Sequence, residues 1–442
     1  MKHTNPDTDC DLLIIGTGLT GMAAALFAAK AGIDTVQVGH VGQLGFASGL
    51  IDLLGVHPVA EGRWVSRPYE ALAGLRNEAP DHPYAKLGDN EIQTALETVL
   101  TFLEACGYPH FCKPGENLAM LTPAGTVKPT YAVPHTMAHA AEAWAQKTSA
   151  LLVDFKGLKG FSARQMAAGL KACWPDLKPA SIDFPDSTGE LYAESLARML
   201  DMPQNREKLV DALRPHIGDA EAVGLPAVLG LYRSSEVIAD LRGGVGVPVF
   251  EVPPMLPAVA GLRVREIFEQ QLPDLGIRSF YHQSVCAVER KDEGGWVLSL
   301  AEKAGGAAMA AQERDARRIH ARSVLLCSGR FFGKGLHAER RGIRETVFDL
   351  PVVQPPAREF WHQKDFFARN GHAVNRAGLA VDGDFRPLGR NGGPAWPDLF
   401  SAGIILAHQD WMRQKCGSGL AIATAYGAVR ACERFLGTGT SA

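Results

Sequence analysis

Three glycines near the start of the chain have the spacing of a nucleotide-binding turn. Gly16, Gly18 and Gly21 form the pattern Gly-x-Gly-x-x-Gly. The first glycine permits a tight turn, the second lets backbone approach a phosphate, and the third lets a helix pack closely against a sheet. A helix that begins here presents free N–H groups and a positive dipole end to that phosphate. We therefore predict that Gly16, Gly18, Leu19, Thr20 and Gly21 bind a phosphate.

The residues on either side of this pattern predict the elements that position it. Residues 11–15 are a short apolar run, typical of a buried parallel strand. Residues 22–30 are strong helix formers, and Gly32 follows as a helix C-terminal residue. Residues 33–38 predict the next strand. A complete strand–helix–strand unit favours a nucleotide-type site over the alternative, a glycine-rich turn that binds nothing.

The residue that normally binds adenosine is missing from this unit. The second strand of such a unit usually ends in an Asp or Glu that holds the ribose hydroxyls. The spacing places Gly39 at that position, between Gln37 and His40, and no carboxylate follows before Asp52. A flavin mononucleotide has a phosphate but no adenosine. The sequence therefore favours FMN over FAD, and FAD stays open if another contact holds its adenosine.

A loop of small residues follows the second predicted strand. Residues 42–52 include Gly42, Gly45, Ser48 and Gly49. Backbone of this kind can lie flat against a planar ring, although an ordinary connecting loop has the same composition. We predict that Ser48 and Gly49 border the flavin ring.

The composition excludes several classes of protein. The chain has 442 residues, of which 46% are apolar and 21% charged, as in ordinary globular proteins. Its net charge of −3 gives no electrostatic reason to expect nucleic acid or an anionic membrane surface. None of the eight cysteines forms a Cys-x-x-Cys pair, so we predict no metal site and a reducing compartment. Residues 12–29 are uncharged, but their glycines predict strand, turn and helix rather than a membrane span.

The remaining pattern predicts an α/β protein in which the outer parts of the chain form one domain. Residues 305–312 are a low-complexity Gly/Ala loop. Further helices and strands are predicted at residues 90–106, 151–155, 162–173, 190–200, 247–252, 261–272, 284–289, 295–300, 321–327, 398–403 and 420–435. We predict a Rossmann-like flavin-binding domain with a parallel sheet, built from residues 1–60 and 255–442, and a large inserted α/β lid domain at residues 61–254.

The order of three features resembles the two-dinucleotide-type flavoproteins. The glycine pattern comes first. A small-small-Gly turn, Cys327-Ser328-Gly329, follows a late strand. A strand that ends at Gly403 then precedes a glycine-rich turn and a final helix.

More narrowly, the chain resembles the B subunits of bacterial anaerobic glycerol-3-phosphate dehydrogenases over nearly its whole length. The resemblance rests on strings that are far more specific than the glycine pattern. They are residues 47–54 (ASGLIDLL), 79–84 (APDHPY), 121–126 (LTPAGT), 328–340 (SGRFFGKGLHAER), 342–345 (GIRE), 365–368 (DFFA) and 416–419 (CGSG).

The resemblance implies an FMN-dependent subunit of a cytoplasmic complex at the inner face of the cell membrane. An FAD-containing catalytic A subunit and an iron–sulfur C subunit would be its partners, and membrane contact would come only through a partner. The complex would oxidise sn-glycerol 3-phosphate to dihydroxyacetone phosphate in anaerobic respiration. The cofactor contacts that the resemblance implies besides the phosphate turn are Ser48, Gly49, Ser328, Gly329, Gly403, Gly417, Ser418 and Gly419.

The residues that could oxidise a substrate are less clear in the sequence. Oxidation of an alcohol carbon needs a base beside the flavin. His408 is the best-placed candidate, with Arg413 available to a phosphate or carboxylate, while His57, His82 and Lys128 are weaker. No clustered phosphate-binding residues stand out, so we expect the partner to oxidise substrate and this flavin to relay electrons. A stand-alone flavin dehydrogenase or reductase and a non-catalytic scaffold are the alternatives.

Overall fold

The computed structural model describes residues 7–40, 43–302 and 317–437, so the predicted loop at residues 305–312 lies outside it. Its strands are β1 (Thr8–Ile15), β2 (Thr35–Gly39), β3 (His110–Cys112), β4 (Leu118–Leu121), β5 (Val127–Thr130), β6 (Ala132–Pro134), β7 (Ala150–Phe155), β8 (Leu177–Ile182), β9 (Ala222–Pro226), β10 (Val249–Val252), β11 (Arg278–Tyr281), β12 (Gln283–Arg290), β13 (Trp296–Glu302), β14 (Arg317–Leu326), β15 (Leu336–Ala338), β16 (Ile343–Glu345) and β17 (Leu399–Ser401). Its helices are α1 (Leu19–Lys30), α2 (Pro68–Glu78), α3 (Asp89–Ala105), α4 (His135–Gln146), α5 (Ala163–Leu170), α6 (Ala193–Leu200), α7 (Pro203–Ile217), α8 (Ser234–Val245), α9 (Val259–Gln271), α10 (Trp411–Gln414) and α11 (Gly417–Leu436).

The larger sheet has the strand order β11-β2-β1-β14-β13-β12, with β17 also paired to β14. Strands β1, β2, β11, β14 and β17 run parallel, because each of their pairings is parallel. Residues 317–321 of β14 pair with antiparallel β13, and residues 324–326 pair with β17. The antiparallel pair predicted at residues 284–289 and 295–300 is thereby confirmed. Residues 12–15 of β1 are an uninterrupted apolar run, and all four are buried, as in a strand that is covered on both faces.

A second, four-stranded sheet has the order β10-β9-β7-β8 and is parallel throughout. Helices α4 and α8 pack on β10, and α5 and α7 pack on β8. The chain is therefore an α/β protein, as the sequence predicted, with one mixed sheet whose central strands are parallel and one sheet that is parallel throughout.

The helices that precede this second sheet share the core of the larger one. Leu72 of α2, Val99 of α3 and Tyr84 between these helices belong to the same buried apolar cluster as the strands β1 and β14. Helix α3 packs on α11, and α11 packs on α1. These contacts describe packing, and the division of the chain into domains at residues 60 and 255 stays a prediction.

Within the described part of the chain, no helix combines the length and the apolar character that crossing a bilayer requires.

Candidate functional site

The glycine turn lies where β1 ends and α1 begins, and its geometry requires glycine. Gly16 has φ of +133°, and a Cβ there would lie 2.3 Å from the carbonyl oxygen of Cys327. A Cβ at Gly21 would lie 1.9 Å from the carbonyl oxygen of Gly16, because the first turn of α1 passes directly over the turn. Gly18 is the N-cap residue of α1, and no side chain caps this helix. The helix N-terminus is therefore not occupied by a capping side chain, and binding of a phosphate there stays a prediction.

The end of β2 explains why no carboxylate stands at residue 39. A Cβ at Gly39 would lie 3.0 Å from the backbone nitrogen and the Oγ1 and Cγ2 atoms of Thr17. The Thr17 hydroxyl donates to the carbonyl of His40 at 2.9 Å, which fixes the side chain in that position. The buried Gln37 amide donates to the carbonyl of Gly16 at 3.0 Å. Thr17 thus fills the space beside residue 39, a role that sequence reasoning missed.

A cavity of about 230 Å³ adjoins the glycine turn at the carboxyl ends of β1, β2 and β14. It is lined by residues from all three strand ends and from β12, and His40 Nε2 lies 2.6 Å from Ser284 Oγ at its edge. Within the described residues, the buried atoms Gln283 Oε1 and Ser328 Oγ have no hydrogen-bond partner. Both residues line the cavity, so a polar group of a ligand could satisfy them.

Ser328 and Gly329 are followed by a buried arginine that the sequence analysis did not single out. Arg330 is 7% exposed, and its guanidinium donates to the carbonyls of Asn375 and Gln409, the latter at 3.3 Å. Its Nε has no partner among the described residues. Burial lowers the pKa of Arg330 to about 10, which leaves the group charged at neutral pH, and the nearby Asp410 carboxylate opposes the shift.

The predicted ring loop and the start of the last helix meet each other. Ser418 Oγ accepts a hydrogen bond from the Asp52 N–H at 2.7 Å and donates to the carbonyl of Leu50 at 3.1 Å. The N–H of Gly419 donates to the Asp52 carbonyl at 2.8 Å, and a Cβ at Gly419 would lie 2.7 Å from that oxygen. Helix α11 begins at Gly417, three residues before the predicted start, and no side chain caps it. Its glycines allow the loop to approach this closely.

Gly49, Gly329 and Gly403 are further predicted positions where positive φ favours glycine, and φ at Gly329 is +68°. Gly49 has φ of +79°, and a Cβ there would lie 2.7 Å from Ala260 Cβ. Gly403 has φ of +85°, and its N–H donates to Thr424 Oγ1 at 2.8 Å. A Cβ at Gly403 would lie 2.2 Å from Thr20 Oγ1. Gly403 thus joins the first turn of α1 to α11.

The segment from His408 to Lys415 contains the two main candidate catalytic residues, His408 and Arg413. His408 and Lys415 both have left-handed backbone, with φ of 65° and 51°. Arg413 Nη2 donates to the carbonyl of Phe366 at 3.4 Å, and Arg413 Nε lies 4.0 Å from Asp410 Oδ2. His82 Nε2 lies 3.3 Å from Gln414 Oε1. The tertiary structure brings these residues together although they are far apart in sequence.

Two lysines that lie far apart in the sequence, Lys128 and Lys415, lie near each other beside this segment. Lys128 Nζ lies 2.5 Å from Asp52 Oδ2. Burial lowers the pKa of Lys415, and the nearby positive charge of Lys128 lowers it further. Arg413 and the carboxylates of Asp52 and Asp410 also act on Lys415. His57 instead pairs with Glu78 at 3.2 Å.

Because of His82, we expect the free energy of unfolding to decrease in acid. Its Nδ1 accepts from the Tyr84 N–H at 3.2 Å and therefore carries no proton, and burial lowers the pKa of His82 to about 4. Between about pH 6.5 and 4 the unfolded chain binds a proton at this side chain that the folded chain does not. We expect the stability present above this window to fall by roughly 3 kcal/mol as the pH drops through it.

The variant His82→Asn tests this expectation, because Asn can still accept from the Tyr84 N–H but does not titrate. Urea unfolding of both proteins at pH 7 and pH 4.5 would show a smaller loss of free energy of unfolding in the variant. Equal losses in both proteins would mean that another group titrates.

All eight cysteines are unpaired. Cys416 stands at the N-cap of α11, and burial raises its pKa, so it is a thiol at neutral pH. Within residues 7–40, 43–302 and 317–437, no three His, Cys, Asp or Glu side chains converge as metal ligands would.

The chain is similar to known flavoproteins over nearly its whole length. Residues 11–420 match the FAD binding domain family. The B subunit of the anaerobic glycerol-3-phosphate dehydrogenase of Yersinia pseudotuberculosis serotype I is 30% identical over 428 residues, which cover 94% of this chain and 96% of that protein. The protein of the same name from Vibrio vulnificus is 30% identical over 95% of both chains. The crystal structure of 3-ketosteroid delta1-dehydrogenase from Sterolibacterium denitrificans matches with a TM-score of 0.43 and 11% identity over 98% of this chain and 100% of that one.

Proposed function

We propose that this chain, which belongs to the FAD binding domain family, is the flavin-carrying B subunit of an anaerobic glycerol-3-phosphate dehydrogenase. The chain is a flavin-dependent oxidoreductase subunit, and the family resemblance seen in its sequence is confirmed. The observation that carries the proposal is a relative of that name at 30% identity along 94% of the chain.

Two uncapped helix N-termini would hold the flavin. The turn from Gly16 to Gly21 and the start of α1 would bind its phosphate. The start of α11, with Ser418 and the loop at Asp52, would face the pyrimidine end of the ring. A bound flavin supplies the acceptor of two electrons and their release to a further carrier. The positive end of the α11 dipole and the buried Arg330 would stabilise negative charge there.

We propose FMN as the flavin. Gly39 offers no carboxylate to a ribose, and Thr17 occupies the space that such a side chain needs. The test is to purify the chain, release the chromophore with acid and identify it by chromatography. We expect FMN at one per chain. FAD would contradict the choice of FMN, while a colourless protein that takes up no flavin would support the scaffold alternative.

We further propose that the chain works with an FAD-containing A subunit and an iron–sulfur C subunit, and that its flavin relays electrons between them toward quinone. The complex would lie in the cytoplasm and reach the membrane through a partner. Addition of sn-glycerol 3-phosphate to the isolated flavin-loaded chain tests the relay, because a relay flavin should stay oxidised without its partner. Bleaching of the flavin by this substrate would contradict it.

One observation favours a second candidate, a stand-alone flavin dehydrogenase or reductase. The basic side chains Lys128, Arg413 and Lys415 gather beside the loop that would border the ring. Such an enzyme would reduce a dye acceptor with its own substrate and no partner. Dye reduction that appears only when partner subunits are added would exclude this second candidate.

A further inference from the structure

The segment between His408 and Lys415 is held in an unfavourable backbone conformation at both ends. Neither residue is glycine or asparagine, and both have positive φ. Such conformations persist only where surrounding contacts impose them, and they concentrate at functional sites. Here the contacts are evident. The N–H of His408 donates to the carbonyl of Arg376, and the carbonyl of Lys415 accepts from the N–H of Gly55.

Gly55 brings Lys415 next to the strand that carries Lys128. A Cβ at Gly55 would lie 2.7 Å from Lys415 Cβ and 2.8 Å from Pro129 Cγ. Any larger residue at position 55 would push these two segments apart. The glycine therefore lets the half-buried Lys415 lie close to Lys128, two like charges that repel each other.

The charges in this region do not cancel. Lys128 has its partner in Asp52, and Arg413 lies at the edge of ion-pair distance from Asp410. The ammonium of Lys415 makes no hydrogen bond or ion pair with any residue that the structure describes. Asp410 also lies near the buried, charged Arg330, so the cations of this region outnumber its carboxylates, and the unpaired Lys415 is half-buried. A bound anion would remove this imbalance.

One acceptor in the same cluster is also without a partner. Lys128 binds Asp52 through Oδ2, whereas Oδ1 is buried and accepts no hydrogen bond from the described residues. A buried carboxylate oxygen left in this state is costly, and the donor it needs can come from a ligand hydroxyl. An unpaired ammonium and an unpaired carboxylate oxygen together match a ligand that has both an anionic group and a hydroxyl.

We propose that Lys128, Arg413 and Lys415 bind the phosphate of a small organic phosphate whose hydroxyl donates to Asp52 Oδ1. Ammonium and guanidinium groups are the side chains that bind phosphate oxygens best. The proposal deepens the function proposed above by placing a site of the substrate class on this chain. It rests on that function for the choice of sn-glycerol 3-phosphate as the probe.

Calorimetric titration of the full-length chain with sn-glycerol 3-phosphate tests the proposal. We expect Lys415→Asn to weaken binding at least about tenfold, because it removes one charge-assisted contact. Asn accepts positive φ, so the backbone at position 415 is preserved. Lys415→Arg keeps the charge and should keep the binding. The matched control is Lys147→Asn, at another left-handed lysine, which lies over Trp144 and outside this cluster.

Inorganic phosphate and glycerol are titrated in parallel, because the first tests the contact of the basic side chains with a phosphate and the second tests the contact of Asp52 with a hydroxyl. Wild-type protein should bind sn-glycerol 3-phosphate more tightly than either, and Asp52→Asn should reduce its preference over inorganic phosphate. Absence of binding by the wild type, equal affinities of Lys415→Asn and wild type, or equal binding of inorganic phosphate would each overturn the proposal. The visible spectrum of each preparation reports its flavin, so a flavin-loaded chain that fails to bind overturns this inference alone.

Discussion

Replacing Glu251 by alanine will destabilise the folded chain by about 3–5 kcal/mol, the cost of leaving a buried ion pair without one partner. The Glu251 carboxylate is fully buried and accepts hydrogen bonds from both terminal nitrogens of Arg263, at 2.6 and 2.8 Å. It also accepts hydrogen bonds from the Thr136 hydroxyl at 2.6 Å and from the Leu229 N–H at 2.7 Å. The variant therefore leaves the buried Arg263 guanidinium and two further donors without their acceptor.

The position of this pair makes the effect global. Glu251 lies in β10 at the edge of the smaller sheet, Arg263 lies in α9, and Thr136 lies in α4. The carboxylate thus ties the smaller sheet to the helix through which the chain returns to the larger one. Arg263 is further held by donation to the carbonyl of Gly230 at 2.8 Å.

Urea unfolding followed by circular dichroism measures the loss. Glu190→Ala is the matched control, because Glu190 forms an exposed ion pair with Lys159 and its removal should leave the unfolding midpoint unchanged. The double variant Glu251→Leu/Arg263→Met should recover part of the lost stability, since no charge is left buried. A Glu251→Ala midpoint equal to that of the control would show that the buried pair does not hold the two sheets.

Gly21→Ala will reduce the flavin bound per chain at least tenfold, a change that corresponds to about 1.4 kcal/mol of binding free energy. The added methyl would lie 1.9 Å from the carbonyl oxygen of Gly16. Gly16 directly follows β1 and Gly21 lies in the first turn of α1, so relief of the contact requires the helix to move away from the turn. Overpacking of this kind costs about 1–3 kcal/mol in protein cores, and here it displaces the phosphate-binding N–H groups themselves.

Gly74→Ala is the control for the glycine substitution. Gly74 lies within α2, and a Cβ there meets no atom within 4 Å. Alanine in a helix interior is favoured over glycine, so the control should fold at least as well as wild type and keep its flavin. The visible absorbance of the flavin, divided by the absorbance at 280 nm, measures the flavin bound per chain for each protein. Wild-type flavin content in Gly21→Ala would show that the turn does not bind the cofactor.

The strand–helix–strand unit at the start of the chain could be predicted from sequence because its signals are contiguous. The apolar residues 12–15, the three glycines and the helix formers after them lie within one short stretch. Burial on both faces of β1 demands an uninterrupted apolar run, and the close approach at Gly21 demands glycine. The type of each residue there follows from its local conformation.

The reason for the missing carboxylate could not be predicted in the same way. Gly39 was recognised as the position of a ribose contact, but Thr17 is what fills the space beside it. The two residues meet because β1 and β2 are neighbours in the sheet, so that the turn after one strand lies against the end of the other. The sequence pattern shows that the carboxylate is missing at residue 39, but it does not show that Thr17 lies beside that residue.

The sequence by itself determined the fold class, the glycine turn and the family of this protein, because each is encoded in short strings of residue types. Tertiary structure alone decided the cluster at the start of α11, where Asp52 meets Ser418 and Lys128 lies near Lys415. Asp52 lies in a loop, Lys128 in a hairpin strand and Ser418 at a helix N-terminus. Asp52 and Ser418 are 366 positions apart in the sequence. Charge balance and unpaired buried atoms exist only once such segments are packed together, since burial and distance set the energy of a charge.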